Sequence, residues 1–403
     1  MMRAVTGTDA TGDSLVAPND ASPTCGIAEA IAALPTGGGR VRLDAGVYRL
    51  RDTIHLPASV SLVGSGPATV LDIAPLRAVP LAQDAPEGSN EVQLVEASSF
   101  RAGDAVGLTD TTNRGWWGTH TTVTRVDGTT VWVDRPVNRG LTAGDEAVAV
   151  NLFPAIQADD VSDIEIADLS VRGPGGADGP WWDFTYSAIH VVRCERTRIR
   201  DCSVTGWPSD GISIQRGYDA QVTGCRAHGC RGHGYHPGTG LGHSIWSHNI
   251  GKGNGGDGLY FCMGVHHSVC SDNVFTENGQ NGIGGVANGG DHHDIISNNV
   301  CSYNGLCGID ANRGEEQLIT GNLLLGNSRS DPGRWPGVRL HDMRHTLVQG
   351  NRCADDQDTP TQTFGIVESG ESDVNLVSGN LCAGMSVGVE IAGPGSQAEG
   401  NLV

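Results

Sequence analysis

The chain has 403 residues, and its 46 acidic side chains against 26 basic ones leave a net charge of −20. Such a surface repels nucleic acid and anionic membranes, so neither is expected as a partner. No run of 18 apolar residues occurs, so no membrane span is expected. The opening MMRAVTGTDATGDS lacks the apolar centre of a signal peptide. The localisation therefore stays open between the cytoplasm and secretion with a signal that this sequence does not contain.

The first 35 residues are predicted to form an N-terminal arm and a capping helix. Residues 1–25 are polar and indicate an extended arm, whereas Gly26–Leu34 carries apolar residues at helical spacing. A helix here would cover the first coil of a repeat domain, whose core otherwise faces water. Residues 36–403 are predicted to be a single domain, which opens with the strand-rich segments GGGRVRLDAGVYRL and DTIHLPASVSLVGSG.

Two segments interrupt the repeats of this domain. Residues 80–150 alternate apolar and polar around a VDGTT turn, which predicts an antiparallel insertion with Trp116 and Trp117 on a loop. Residues 173–187 are predicted to form a long loop, which either packs on the flank of the repeats or offers a wall for stacking sugars. Its aromatic side chains are Trp181, Trp182, Phe184 and Tyr186.

The rest of the chain is organised by one recurring quartet: DCSV, GCRA, HNIG, DNVF, NNVC, GNLL, GNRC, GNLC and GNLV. Its second residue recurs at spacings of 23, 24, 24, 26, 23, 29, 29 and 21. A period of this size indicates a solenoid, and each repeat reads as strands and turns without a helical period. Stacked asparagine amides can bond to one another at a tight turn. The ladder residues are Cys202, Cys225, Asn249, Asn273, Asn299, Asn322, Asn351, Asn380 and Asn401.

The repeat resembles the right-handed parallel β-helix superfamily of pectate lyases, mannuronan epimerases and related carbohydrate-active proteins. The resemblance extends over about residues 36–403 and implies an all-β, right-handed parallel β-helix solenoid with a capping helix and an antiparallel excursion. It identifies a fold on which unrelated chemistries occur, so the function has to be argued from the site.

The eleven cysteines favour core positions over disulfides. Cys202 and Cys225 occupy the ladder column, and Cys301, Cys353 and Cys382 each follow a ladder asparagine by two residues. That position carries apolar residues in other coils, and a buried thiol behaves as a small hydrophobe. We expect most of these thiols to be free and to point inward.

A candidate site follows from the strands after each turn glycine: SAIHVV, DGISIQ, HGYHPG, DGLYFC, NGIGGV, CGIDAN, PGVRLH and FGIVES. Their third residue is apolar and should point inward, so the fourth and sixth should point outward. The fourth-position column is His190, Ser213, His236, Tyr260, Gly284, Asp310, Arg339 and Val367. The sixth-position column is Val192, Gln215, Gly238, Cys262, Val286, Asn312, His341 and Ser369.

Because stacked coils lie about 4.8 Å apart, these columns predict a continuous outward strip with Gly284 as a hollow at its middle. We predict that His236 and Tyr260 handle protons, and that Asp310 and Arg339 bind or polarise the substrate. The predicted substrate-binding residues are His190, Gln215, Asn312, Arg313, His341, Asp342, Trp181 and Trp182.

The strip departs from the motifs of the families that it resembles. Gly232–Gly238 contains the GHG of polygalacturonases, but no RIK segment or aspartate pair accompanies it. The same segment is similar to the YGFDPH of mannuronan epimerases, except that His236 replaces the aspartate and Gly238 the histidine. Pectate lyases hold calcium with clustered aspartates, which the strip lacks. No cofactor or metal is therefore expected, with calcium kept as the alternative.

Nine of the fourteen histidines lie between His228 and His293. His266–His267 and His292–His293 occupy equivalent positions in consecutive coils, joined by His243 and His345. A ladder of turn residues explains this recurrence, and a transition-metal site is the competing interpretation.

Three functions remain open. A glycan-cleaving polysaccharide lyase, or a related epimerase, would use a base, an acid and a cation, which the strip supplies. A glycoside hydrolase or glycan transferase would need a pair of carboxyl groups, such as Asp310 with Asp342 or Asp257. A non-catalytic glycan-binding spike or adhesin would use the tryptophan loops. In each case the partner is an oligo- or polysaccharide. The uncapped GNLV end predicts truncation or a homo-oligomer that covers it.

Overall fold

The computed structural model describes residues 6–8, 13–112, 118–174 and 184–403. Trp116, Trp117, Trp181 and Trp182 lie outside the described residues. The chain divides into two compact units, of which unit 1 contains Met1–Asp159, Ile164–His190 and Val204–Asp210. Unit 2 contains Asp160–Asp163, Val191–Ser203 and Gly211–Val403. Within the described ranges, no helix is long and apolar enough to cross a membrane.

The predicted capping helix is present in unit 1. Helix α1 spans Ile27–Ala32 and buries Ile27, Ala30 and Ile31. Its apolar face contacts the strands Ser14–Val16, Gly39–Leu43 and Ile54–His55. The arm before α1 contains the strand Ser14–Val16, which pairs in parallel with Gly39–Leu43 and so adds to a sheet.

Unit 1 combines parallel strands with the predicted antiparallel excursion. The excursion is a six-stranded sheet around a core of valine, leucine and alanine side chains. Its strands, in spatial order, are Ala78–Pro80, Val148–Val150, Ala105–Thr109, Thr119–Asp127, Thr130–Val133 and Glu91–Gln93. The other strands of unit 1 are Thr6–Thr8, Ser14–Val16, Gly39–Leu43, Gly46–Leu50, Ile54–His55, Val60–Val63, Thr69–Ile73, Ile156–Asp159 and Ser170–Arg172. Short 3-10 helices span Ala143–Asp145 and Phe184–Tyr186. The strands Ser162–Ala167, Ile189–Val192 and Ser203–Thr205 contain residues of both units.

Unit 2 is a parallel β-helix built from three parallel sheets. The first contains Glu195–Arg200, Tyr218–Thr223, Ile245–Ser247, Val269–Ser271, Ile295–Ser297, Leu318–Thr320, Leu347–Gln349, Leu376–Ser378 and Gln397–Glu399. The second contains Arg226–His228, Ile250–Lys252, Val274–Thr276, Val300–Ser302, Leu323–Leu325 and Arg352–Ala354. The third contains Ile212–Gln215, Tyr235–Gly238, Leu259–Tyr260, Ile283–Val286, Ile309–Asn312, Val338–His341, Phe364–Ser369 and Val387–Glu390.

The inward column of the third sheet agrees with the column of third residues in the aligned strands of the repeats. Each strand presents one buried apolar residue to the core, and the register pairs these residues from coil to coil. The column is Ile212, Tyr235, Leu259, Ile283, Ile309, Val338 and Ile366, all fully buried. The strand alternation that sorts side chains inward and outward therefore holds over seven coils.

The asparagine ladder is confirmed at one corner of unit 2. The side-chain oxygen of each ladder asparagine accepts a hydrogen bond from the backbone N–H of the preceding ladder residue. The series begins with Cys225 N–H donating to Asn249 and ends with Asn380 N–H donating to Asn401. A second buried ladder, which the sequence analysis missed, follows five residues after the first at Asn254, Asn278, Asn304 and Asn327. Gln362, eleven residues after Asn351, continues it by accepting the backbone N–H of Asn327.

All eleven cysteines are buried with free thiols. Cys301, Cys353 and Cys382 lie in the core column that their spacing predicted, each at most 1 % exposed. The expectation of free, inward thiols is confirmed.

Candidate active site

Two histidines and a tyrosine meet on neighbouring strands of the third sheet of unit 2. Tyr235 pairs with Leu259, which places the following residues, His236 and Tyr260, side by side. The imidazole of His236 meets the Tyr260 ring edge-on, with 5.2 Å between ring centres. The His233 ring stacks on the same Tyr260 ring, with 4.5 Å between ring centres. This cluster brings together the two groups that the sequence predicted to handle protons.

The Tyr260 phenol is held in its protonated form. Burial, followed by the nearby Cys262 and Asp257, raises the pKa of Tyr260 above its ordinary value. Its oxygen accepts a hydrogen bond from Asn288 Nδ2 at 2.9 Å. A phenol in this environment carries its proton at neutral pH, so Tyr260 suits the role of an acid rather than a base.

The hollow predicted at Gly284 is filled. A Cβ at this position would lie 2.6 Å from the carboxylate of Asp257, and one at Gly285 would lie 2.6 Å from the Tyr260 ring. The prediction was wrong because the residue before each turn glycine also points to this face. Glycine is required here by the side chains of the preceding coil.

The residues that precede the turn glycines of successive coils form a third ladder, which the sequence analysis missed. His233 Nδ1 lies 3.0 Å from the backbone nitrogen of Asp257 and 3.2 Å from its carboxylate. Asp257 Oδ1 in turn accepts the backbone and side-chain N–H groups of Asn281, at 2.7 and 2.8 Å, and Asn281 Oδ1 accepts the N–H of Cys307. The recurring pattern His-Gly, Asp-Gly, Asn-Gly, Cys-Gly in successive coils was the available signal.

Asp310 and Arg339 lie on paired strands and bind each other directly. Arg339 Nε and Nη2 donate to the two carboxylate oxygens of Asp310, at 2.5 and 3.0 Å. Burial nevertheless raises the pKa of Asp310, despite the opposing effect of the Arg339 guanidinium. The guanidinium also lies 5.4 Å from the ring centre of Trp335, an aromatic side chain that the sequence analysis did not select.

A β-bulge shifts the sixth-position column. Gly284 and Gly285 together oppose one residue of the next strand, and Gly285 has a left-handed φ of 67°. Val286 therefore pairs with Ala311 in the core instead of lining up with Asn312. The expected register of this column was wrong by one residue at Val286, because the extra glycine was not visible as a bulge in the sequence, and it holds again from Asn312 to His341 and Ser369.

The remaining predicted binding residues fall into two places. Gln215 is buried, and its amide donates to Ser213 at 2.9 Å. His341 Nδ1 lies 3.0 Å from Ser369 Oγ, at the end of the strand that contains Arg339. Arg313 and Asp342 line a separate groove of about 340 Å³ together with Asp291, His292, Glu315, Arg344 and Glu371.

The strip is not the solvent-facing surface that the alternation predicted. His236 is only 5 % exposed and Gln215 3 %. His190, also buried, belongs to unit 1, where its ring lies 6.3 Å from that of Phe184. The predicted aromatic wall of Trp181 and Trp182, and the loop with Trp116 and Trp117, fall outside the described residues.

Cys262 is a second reactive group that the sequence analysis passed over. Burial acts to raise the pKa of its thiol, but the hydrogen bond and charge of His236, together with the Thr239 hydroxyl 3.7 Å away, lower it to about 7. The site therefore contains a thiol that ionises near neutral pH beside the predicted base.

The comparisons with known proteins identify the class of fold. A family model described as a right-handed beta helix region matches residues 154–291. A search of curated proteins finds no match. The described strands and this match show that the chain is a right-handed parallel β-helix protein, as the sequence predicted.

Solved structures of three different kinds share this fold. The A-module of mannuronan C-5 epimerase AlgE6 from Azotobacter vinelandii is similar with a TM-score of 0.60 and 15 % identity, over 96 % of both chains. An exopolygalacturonase from Thermotoga maritima has a TM-score of 0.52 and 12 % identity, over 99 % of this chain and 90 % of its own. The tailspike gp61 of Pseudomonas phage phi297 has a TM-score of 0.50 and 11 % identity, over 94 % of this chain and 67 % of its own. At these identities the similarity shows the fold alone.

Proposed function

We propose that this protein is a carbohydrate-active enzyme that abstracts a proton from a glycan ring, as a polysaccharide lyase or a related epimerase. The observation that carries the proposal is the contact of His236 with Tyr260, a base and an acid on adjacent coils. Similarity of fold to a mannuronan epimerase supports it, since proton abstraction beside a sugar carboxylate is common to elimination and epimerisation.

The proposed elimination uses the cluster in one step. His236 removes the proton beside the carboxylate, the electron pair forms the new carbon–carbon double bond, and the glycosidic C–O bond breaks as Tyr260 protonates the leaving oxygen. In epimerisation the C–O bond stays intact and a proton is added to the same carbon from the opposite face of the sugar ring. A histidine base suits this role because its intrinsic pKa lies near 6.5.

Arg339 is proposed to neutralise the substrate carboxylate. Its Nε and Nη2 are engaged by Asp310, which orients the guanidinium and leaves Nη1 outside that pair. Charge on a carboxylate that develops enolate character is best stabilised by a donor held in place beforehand. We expect no metal to be required for this step, so turnover should persist in EDTA.

The test compares site variants with matched controls outside the site. His236→Ala and Tyr260→Phe should each lower turnover about 10²–10⁴-fold, the usual effect of one acid–base group. The controls are His228→Ala, an exposed histidine, and Tyr303→Phe, whose hydroxyl bonds the exposed Asp356. Purified protein would be screened against polysaccharides containing uronic acids, with ultraviolet absorbance reporting unsaturated products and proton exchange from deuterated water reporting epimerisation. Folded site variants with near-wild-type turnover would place the chemistry elsewhere.

A glycoside hydrolase is the second candidate, because burial raises the pKa of Asp310 as a general acid requires. Asp257 would be the second carboxyl group. This mechanism predicts a new reducing end without unsaturation, and an Asp310→Asn variant more impaired than His236→Ala. The Arg339 ion pair counts against it, since the guanidinium favours the ionised form of Asp310.

A further inference from the structure

A ladder of five histidines, His243, His266, His267, His292 and His293, runs along a turn of unit 2. The first turn position of successive coils is Gly242, His266 and His292, which are bridged to one another in parallel. The second position is His243, His267 and His293. The ring of His267 stacks on those of His243 and His293, at 4.9 Å each, and the ring of His266 stacks on that of His292 at 5.4 Å. The turn ladder predicted from the sequence is therefore present.

Left-handed turn geometry applies to only three of these five histidines. The second position is left-handed in every coil, with φ of 53° at His243, 54° at His267 and 61° at His293. In the next two coils this position is occupied by Glu316, with φ of 57°, and His345, with φ of 51°. The left-handed backbone therefore does not require histidine at this position. The first position has no such restriction, yet it carries His266 and His292 in two of the four coils where the second is histidine.

The ring nitrogens converge as ligands would. The Nδ1 atoms of His266 and His267 lie 3.1 Å apart, and those of His292 and His293 lie 2.7 Å apart. Two imidazoles that bind one ion at about 2.0–2.1 Å, with an angle of about 90–109° between them, have nitrogens about 2.8–3.4 Å apart. The His266–His267 distance lies within this range, and the His292–His293 distance lies just below it. Three-ligand sets within 4.8 Å are formed by His243, His266 and His267, and by His267, His292 and His293.

The surroundings favour a cation. The chain carries a net charge of −20, and the Glu316 carboxylate lies 2.9 Å from His293 Nε2. A Cβ at Gly242 would lie 2.5 Å from the His266 ring, so the glycine leaves the space that this ring occupies.

We propose that this histidine ladder binds at least one divalent transition-metal ion of the zinc, nickel or copper class, with His267 as the ligand common to both sets. Imidazole is a preferred ligand of these ions, and the exposed side of the turn leaves coordination positions open to water. The ligands lie at turns outside the strands that carry His236 and Tyr260, so we expect an ion here to act on stability.

The test uses the full chain without a histidine tag, freed of metal and titrated calorimetrically with zinc chloride or nickel sulfate at pH 7.5. The wild type should bind at least one ion per chain. His267→Asn, a substitution that tolerates the left-handed backbone, should weaken binding at least tenfold. His345→Asn is the matched control, because it occupies the same turn position outside both sets, and it should bind as the wild type does.

Equal affinity of the wild type and His267→Asn, or no binding by the wild type, would overturn the proposal. If His267→Asn does not fold, the paired substitution His266→Gln and His292→Gln removes a ligand from each set at positions without left-handed backbone. A rise in the thermal midpoint on adding zinc, present in the wild type and His345→Asn but lost in the ligand variants, gives a second readout that needs no substrate.

Discussion

Replacing Asn299 with alanine should remove the central rung of the first ladder. Its Oδ1 accepts from the backbone and side-chain nitrogens of Asn273, at 3.0 and 2.9 Å. Its Nδ2 donates to Cys270 O and to Asn322 Oδ1, at 2.9 and 3.0 Å. Four hydrogen bonds are lost at about 1 kcal/mol each, and the donors of Asn273 stay buried without this acceptor. We expect the free energy of unfolding to fall by about 3–5 kcal/mol.

Urea unfolding followed by circular dichroism measures this loss, and amide hydrogen exchange in the adjacent coils locates it. The matched control is Asn298→Gly, an exposed neighbour whose φ of 56° suits glycine and whose replacement should change stability by less than about 1 kcal/mol. A loss below about 1 kcal/mol for Asn299→Ala, or equal losses for the two variants, would refute the view that the ladder holds the coils together.

Three further outcomes are expected. Burial and Asp294 raise the pKa of Asp291 to about 9, so its stabilising neutral form is lost as the pH rises. Asp291→Asn should therefore gain at least about 2 kcal/mol over the wild type between pH 4.5 and pH 8, and a pH-independent difference would contradict this. Cys262, with its pKa near 7, should react with iodoacetamide at pH 7 faster than the other ten thiols in peptide mass spectra; uniform labelling would count against it. Gly284→Ala should displace the Asp257 carboxylate and cost about 1–3 kcal/mol, whereas Gly37→Ala, with nothing within 4 Å, should be neutral by the same unfolding assay.

Local periodicity made most of the fold predictable. The recurring asparagine quartet and the apolar third residue of each strand depend on contacts between equivalent residues of adjacent coils, which repeat along the sequence. The adjacency of His236 to Tyr260, and of Asp310 to Arg339, follows from the same register. The second ladder was equally visible, since an asparagine follows five residues after Asn249, Asn273, Asn299 and Asn322.

Features that occur in only one coil could not be predicted from the repeat pattern. Whether Gly284 leaves a hollow depends on how far the Asp257 side chain of the previous coil reaches, and the bulge at Gly285 depends on a backbone angle that two glycines permit without requiring. Likewise the pairing of Asp310 with Arg339, and of His236 with Cys262, depends on side-chain rotamers.

The sequence by itself determined the solenoid and the coil-to-coil register of its inward columns, because each of these repeats with the coil and so is recorded many times. The tertiary structure alone decided the burial of His236, the protonated state of Tyr260 and the convergence of the histidine ring nitrogens. Those properties arise where side chains from different coils exclude water and approach within a few ångströms. The distance between such side chains is not determined by the sequence of a single repeat.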